Sequence, residues 1–230
     1  MALEKGSLVL LNYTAKVKDT DEVIETTVEE EAKKFNVFDP TRTYEPRLVS
    51  VGEGWVLKGL DEALMNANVG EKMDVEVPPQ KGFGERDPDK VRMIPLRKLG
   101  DKADEIKVGD AIEIDDKVGI VRFIGSGRVQ LDYNHRLAGR TISYSLEVLK
   151  QLEQDNEKIV ALIKRRIPVD ENKLKTTITE GNLDIELPTE HYMHEGLQII
   201  KRAIVNDVFK YVNTVKTIKF IETYEPQAQT

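Results

Sequence analysis

Residues 51–84, VGEGWVLKGLDEALMNANVGEKMDVEVPPQKGFG, constrain the fold more tightly than any other stretch of the chain. Gly52 and Gly54 loosen the backbone just ahead of an apolar run, and Gly59 lies inside it. Leu57, Leu60 and Leu64 recur at i, i+3 and i+7, which predicts one stripe of a short helix closed by Asn68 and Gly70. Met73, Val75 and Val77 then alternate with Asp74 and Glu76, a strand with one buried face that Pro78 and Pro79 end. Phe83 follows between two glycines. No acid–base pair, nucleophile or metal cluster lies in this segment, so its chemistry is of the kind that an apolar hollow beside helix-start amides can perform. Periodicity alone also describes a plain core helix on a sheet.

Composition bounds the function. A hydrophobic fraction of 40% supplies a real core, and the charged fraction of 33% describes a Lys/Glu-rich surface of the sort common in heat-tolerant proteins. The absence of cysteine excludes disulfides, thiol catalysis and Cys-based zinc sites. A net charge of −7 argues against nucleic acid as the main partner. No run approaches the roughly 18 apolar residues of a membrane span, and the start reads as lacking a signal peptide. The expectation is a soluble cytoplasmic protein without a membrane partner.

The pattern changes after Phe83. Residues 86–90 are polar, Met93 to Leu96 read as leading into a small apolar turn, and strands are expected at 111–114, 118–124 and 128–131. Asp115, Asp116 and Lys117 form one connecting turn, and Gly125, Ser126 and Gly127 another. Strands joined by such short turns read as a small antiparallel β-domain threaded into one loop of its host. Within 19–46, residues 29–34 read as a brief helical turn on a bulge leaving a strand edge. Beyond a polar joint at 151–156, Ile159, Leu162, Ile163 and Ile167 share a helical stripe that stops before Pro168. A hairpin (Leu174, Thr176, Ile178; Leu183, Ile185, Leu187), a helix over 196–212 and a strand near 215–222 complete an α+β unit. That helix reads as doubly apolar, with one stripe of Leu197, Ile200, Ile204, Val208 and Tyr211 and a second of Val205, Phe209 and Val212. One sheet buries one stripe, so the second predicts a homodimer through this unit, with packing on the first helix as the rival account.

Three separated motifs share an order with a known family. They are the strand Leu8–Val17, with Val9, Leu11, Tyr13, Ala15 and Val17 on one face; the run GEGWVLKGLDEAL…VGEKMDVEVPP…GFG; and Asn134-His135-Arg136-Leu137-Ala138-Gly139 followed by Ile142, Tyr144, Leu146 and Val148. The chain resembles the FKBP-type peptidyl-prolyl cis/trans isomerases over roughly residues 5–152. Its likeness is to the SlyD-like subgroup, and overall to the long archaeal type with a flap-inserted domain and a C-terminal extension. The resemblance implies an α+β fold: an FKBP-like antiparallel sheet around a short helix (residues 1–87 and 132–152), an inserted small β-domain with chaperone character (88–131) and a C-terminal α+β domain (153–230).

The resemblance also implies a site. Tyr13, Glu25, Leu57, Phe83 and Tyr144 would act on the substrate, the Leu57 amide orienting it, while Ile24, Val56, Leu60 and Leu137 complete the wall. Three positions depart from the family pattern. Glu25 stands where an aspartate is usual, Leu60 where many members have a tryptophan, and Phe83 where a tyrosine is usual. The expected activity is prolyl isomerisation with chaperone function on unfolded or partly folded chains, without cofactor or metal; the alternative is a non-catalytic holdase or assembly scaffold. Trp55, the only tryptophan, lies beside this wall. His191 and His194 lack further ligands, Gly52 and Gly54 do not fit a dinucleotide-binding fingerprint, and Lys164, Arg165 and Arg166 read as dipole-complementing charge at a helix end.

Overall fold

The computed structural model describes residues 3–114, 116–224 and 226. Asp115, read above as part of a turn, lies outside them, as do residues 1–2, 225 and 227–230 at the ends of the expected first and last units. The fold is α+β, as expected, with several antiparallel sheets.

The first sheet is built on β1 (Leu8–Val17), whose alternation puts Val9, Leu11, Tyr13, Ala15 and Val17 in the core. One edge of β1 pairs with β2 (Val23–Thr26) and, further back, with β3 (Arg47–Ser50). Its other edge pairs with β9 (Ile142–Gln151), which pairs in turn with β4 (Lys72–Val77); every pairing is antiparallel. Between β2 and β3 lies α1 (Glu29–Lys34), where the brief helical turn was expected.

Helix α2 (Lys58–Leu64) packs on β4 and buries Leu60 and Leu64. Gly59 permits this approach, since a Cβ there would meet Val77 Cγ1 at 2.9 Å. The helix does not run to Asn68 and Gly70. It ends at Leu64, and the amides of Asn66 and Ala67 fold back onto the Ala63 and Leu64 carbonyls at 3.1 Å. Asn68 instead donates through its backbone and side-chain nitrogens to Glu71, at 2.9 and 3.0 Å, so both stop signals serve the turn into β4.

The inserted region forms its own antiparallel sheet, in the order β5-β8-β7-β6, from β5 (Val91–Pro95), β6 (Ala111–Ile114), β7 (Lys117–Gly125) and β8 (Arg128–Asp132). Met93 to Pro95 lie in the edge strand β5, paired with β8, and Leu96 opens the 3-10 turn that follows, with Leu96 and Leu99 packed on the small core. A small core of Val121, Val129 and Leu131 holds the sheet together. The chain leaves and re-enters the first unit side by side: Asp87 N–H donates to Asn134 Oδ1 at 2.9 Å, and Asn134 Nδ2 donates to the Asp87 carbonyl at 2.9 Å. Beside them the buried Asp132 carboxylate receives Arg86 and Arg122.

The C-terminal region holds α3 (Asp155–Arg166), the hairpin β10 (Lys175–Thr179) and β11 (Asn182–Glu186), α4 (Leu197–Tyr211) and β12 (Thr217–Ile221), with β12 parallel to β11. Ile159, Leu162, Ile163 and Ile167 are fully buried, as their stripe predicts, and α3 packs on α4. The two stripes expected on α4 are not separate. Val212 follows Val208 by four residues, about 40° around a helix of 3.6 residues per turn, and both are fully buried in one core. Phe209 alone of the second stripe is exposed.

Candidate functional site

At the junction of β1, β2, β3 and the entry to α2 lies a pocket of about 250 Å³. Its lining holds Tyr13, Glu25, Val56, Leu57, Leu60, Phe83 and Tyr144, all expected from the sequence, together with Arg47 and Trp55. Ile24 and Leu137 stand behind this wall in the same core cluster and are not part of the lining. Leu137 is buried in that cluster and Ile24 is half-buried against it.

Local sequence explains how each wall is held. The loop carrying Trp55, Val56 and Leu57 is tied down by the buried Asp61 carboxylate, which accepts from the Gly52 and Gly54 amides at 2.8 Å each. Gly54 sits at φ +69°, in the left-handed region that a side chain would resist. The backbone N–H of Leu57 meets no acceptor among the described residues and opens the first turn of α2. Phe83 is stacked face to face on His135, with ring centroids 4.7 Å apart and planes 6° from parallel. The imidazole is itself fixed, since its Nδ1 accepts from the Leu137 N–H at 3.2 Å. His135 has no assigned role in the 134–139 motif by sequence, and its one signal there is adjacency to Leu137.

The polar rim is a triad of Tyr13, Arg47 and Glu25. Arg47 Nη1 donates to the Tyr13 hydroxyl at 2.6 Å and to Glu25 Oε1 at 2.9 Å. Arg42 lies 3.8 Å from the same carboxylate oxygen. Burial, then the Glu25 carboxylate, holds the Tyr13 hydroxyl protonated far above the ordinary tyrosine range, with Arg47 opposing. The same causes push Tyr144, whose ring lies 5.7 Å from that of Tyr13, up to about 12. Both phenols are therefore neutral at any physiological pH. The arrangement offers an apolar floor, two neutral hydroxyls, a compensated ion pair and a free amide. Among the described residues no cluster of His, Asp and Glu could hold a metal.

Trp55 closes one side and joins the pocket to the C-terminal region. It meets Tyr211 edge-on at 5.6 Å, and the Arg165 guanidinium lies 3.7 Å over its ring. His191 and His194 lie away from this pocket, next to and just before α4.

Residues 1–99 match the family model described as FKBP-type peptidyl-prolyl cis-trans isomerase. Residues 92–137 match the one described as FKBP26, IF domain, and residues 155–225 that described as FKBP26_C-terminal. Among curated relatives, the chain is 34% identical over 146 residues to a short-type peptidyl-prolyl cis-trans isomerase of Methanocaldococcus jannaschii, covering 64% of this chain and 92% of that protein. It is 27% identical over 154 residues to an FKBP-type 16 kDa peptidyl-prolyl cis-trans isomerase of Escherichia coli, covering 65% and 93%. To the FKBP-type peptidyl-prolyl cis-trans isomerase SlyD of Haemophilus influenzae it is 26% identical over 163 residues, covering 69% and 77%. No helix among the described residues is long and apolar enough to cross a membrane.

Proposed function

The chain belongs to the FKBP-type peptidyl-prolyl cis-trans isomerases, and from that premise we propose that it speeds proline-limited folding of client chains in the cytoplasm, with the Tyr13–Tyr144 pocket as its active site and the inserted and C-terminal regions as chaperone modules. The observation that carries this reading is the pairing of an apolar floor with the free Leu57 amide. Rotation about an amide faces a barrier of about 18–20 kcal/mol from lost resonance, and no proton need move. The twisted amide has lost charge separation, so an apolar floor favours it over the planar ground state. The Leu57 N–H holds a neighbouring substrate carbonyl in a turn geometry, which orients the rotating bond. Val56, Leu60, Phe83 and Tyr144 take the proline ring, while Tyr13, held by Arg47, and Glu25 form the polar lip.

The chaperone part rests on the inserted sheet. Its edge strands β5 and β6 suit pairing with an extended segment, and Met93, Val118 and Phe123 are exposed large apolar side chains on it. We assign residues 1–87 and 132–152 to the catalytic unit, 88–131 to client capture and 153–230 to a second supporting unit. Unfolded or partly folded polypeptides are the substrates.

A protease-coupled peptide assay on wild type and Phe83→Ala tests the site. Losing a ring that covers the proline costs roughly 1.5–3 kcal/mol of contact, so kcat/KM falls about tenfold or more. Unchanged turnover by a folded Phe83→Ala protein removes Phe83 from the site. Absence of turnover by the wild type would leave the holdase reading.

A further inference from the structure

The proline pocket does not end at Trp55. A larger cleft of about 630 Å³ shares Tyr13, Glu25, Arg47 and Trp55 with it and runs on to a far wall made by α3. A chain whose proline occupies the pocket continues directly into this cleft, and at about 3.3 Å per extended residue several residues fit along it.

Most charges lining the cleft are matched internally. Arg42 and Arg47 face Glu25, Lys150 faces Glu157, and Lys164 Nζ reaches Glu45 Oε2 at 2.8 Å. Arg166 takes both oxygens of Asp207, at 2.7 and 3.0 Å. Arg165 has only a long contact of this kind, like that of Arg42 with Glu25 at 3.8 Å. Its closest carboxylate oxygen within ion-pair range is that same Asp207 Oδ2, at 3.7 Å, and its guanidinium makes no hydrogen bond among the described residues. Its guanidinium carbon also lies over Trp55, 3.7 Å from the ring centroid, with its side chain 28% exposed. A guanidinium over an aromatic face still has N–H donors to offer a carboxylate. Burial, then Arg166, press against its charge, with Asp207 and Tyr211 opposing them and Arg47 adding to them, and an incoming anion would favour the charged form. Glu171 also lines the cleft but lies beyond ion-pair distance of Arg165 among the described residues.

We propose that Arg165, laid on Trp55 beside Arg47, anchors an acidic side chain of the client segment that flanks the bound proline, giving the isomerase a preference for acidic residues there. This rests on the reading of the neighbouring pocket as the proline site. It assigns a specificity role to Arg165, a residue of the C-terminal region, and gives that region a hand in substrate choice.

The test uses the full-length protein and peptides with blocked termini, each with one proline and with Glu, Gln or Lys moved through the positions on either side of it. Isomerisation is followed by NMR exchange. At one or two adjacent positions the Glu peptide should show kcat/KM about five- to tenfold above the Gln peptide, the size expected of one half-exposed charge-assisted bond. The Lys peptide should be poorer still, and the spread should shrink at about 0.5 M salt. Arg165→Gln should bring the Glu-to-Gln ratio to about one, and Arg165→Glu should turn the preference toward Lys. Equal turnover of the three peptides at every position overturns the proposal, as does a wild-type ratio retained by folded Arg165→Gln. If no peptide is turned over at all, the pocket reading falls separately. Trp55 emission then decides: tighter binding of Glu peptides supports the anchor, and equal binding overturns it.

Discussion

Arg47 Nη1 donates a 2.6 Å hydrogen bond to the Tyr13 hydroxyl from a strand that begins 34 residues further along the chain. The bond joins β3 to β1 at the lip of the pocket and leaves the phenol neutral, because burial and Glu25 outweigh the guanidinium. Tyr144 lies across from it under the same influences, burial leading.

These two tyrosines make stability sensitive to alkali. An unfolded chain ionises its tyrosines near pH 10, whereas folded Tyr144 keeps its proton to about 12 and Tyr13 beyond that. A pKa raised on folding means that stability is whole below about pH 10 and is lost as pH rises through the folded value. Each such phenol then removes about 1.4 kcal/mol per pH unit between the two values. Urea unfolding from pH 8 to 11.5 (roughly the tyrosine window) should show this decline, and Tyr144→Phe should make it shallower. An unchanged alkaline limb in that variant would contradict the assignment.

Legibility in the sequence followed the range of the interactions. β1, α3 and the two hairpins were plain because one buried face fixes a period of 2 or 3.6 over several residues. The pocket wall was legible by motif, yet Arg47 was not, since nothing local distinguishes it and its partners lie at residues 13 and 25. Asp61 carries no local signal, because its role is set by amides that come before it in the chain. The end of α2 was misread because Asn68 and Gly70 are stop signals that a turn into a strand uses equally well. Val212 was misread because its offset of four residues from Val208 puts it at the edge of the buried arc, while Phe209 lies outside it.

Asp61 should prove to be the residue on which the pocket's loop depends. Two part-buried amide bonds to one carboxylate are lost in Asp61→Ala, which should cost about 1–3 kcal/mol of stability. Asp61→Asn keeps one acceptor and should lose about half as much. Because Val56 and Leu57 sit on the freed loop, KM should rise in the alanine variant even at temperatures where it stays folded. A urea midpoint and KM both equal to wild type would show that the loop holds itself.

The inserted sheet should be separable from catalysis. Asp87 and Asn134 exchange two backbone-to-side-chain bonds where the chain leaves and returns, so residues 88–131 can be replaced by a short turn without moving the pocket. Turnover of short peptides should then stay within about twofold, while catalysed refolding of an unfolded client should fall about tenfold or more, because a second binding surface works by raising local concentration. A parallel fall of both activities, or of neither, would refute the division of labour.

The assembly prediction now rests on a smaller surface than the sequence suggested. With Val212 in the core, the apolar groups left on the outside of α4 are Ile199, 77% exposed, and Phe209, 44% exposed, with Met193 just before the helix at 93%. A two-fold pairing would cover each with its counterpart on an identical chain, the commonest closed arrangement for such a patch. It would also set two proline pockets around one client. Light scattering at micromolar concentration should give the mass of two chains, and the double variant Ile199→Asp, Phe209→Asp should give the mass of one. Because both side chains face outward, that variant should keep its far-ultraviolet circular dichroism and its short-peptide turnover. A wild-type protein that scatters as a single chain would sink the dimer and leave α4 sufficiently covered by its packing on α3.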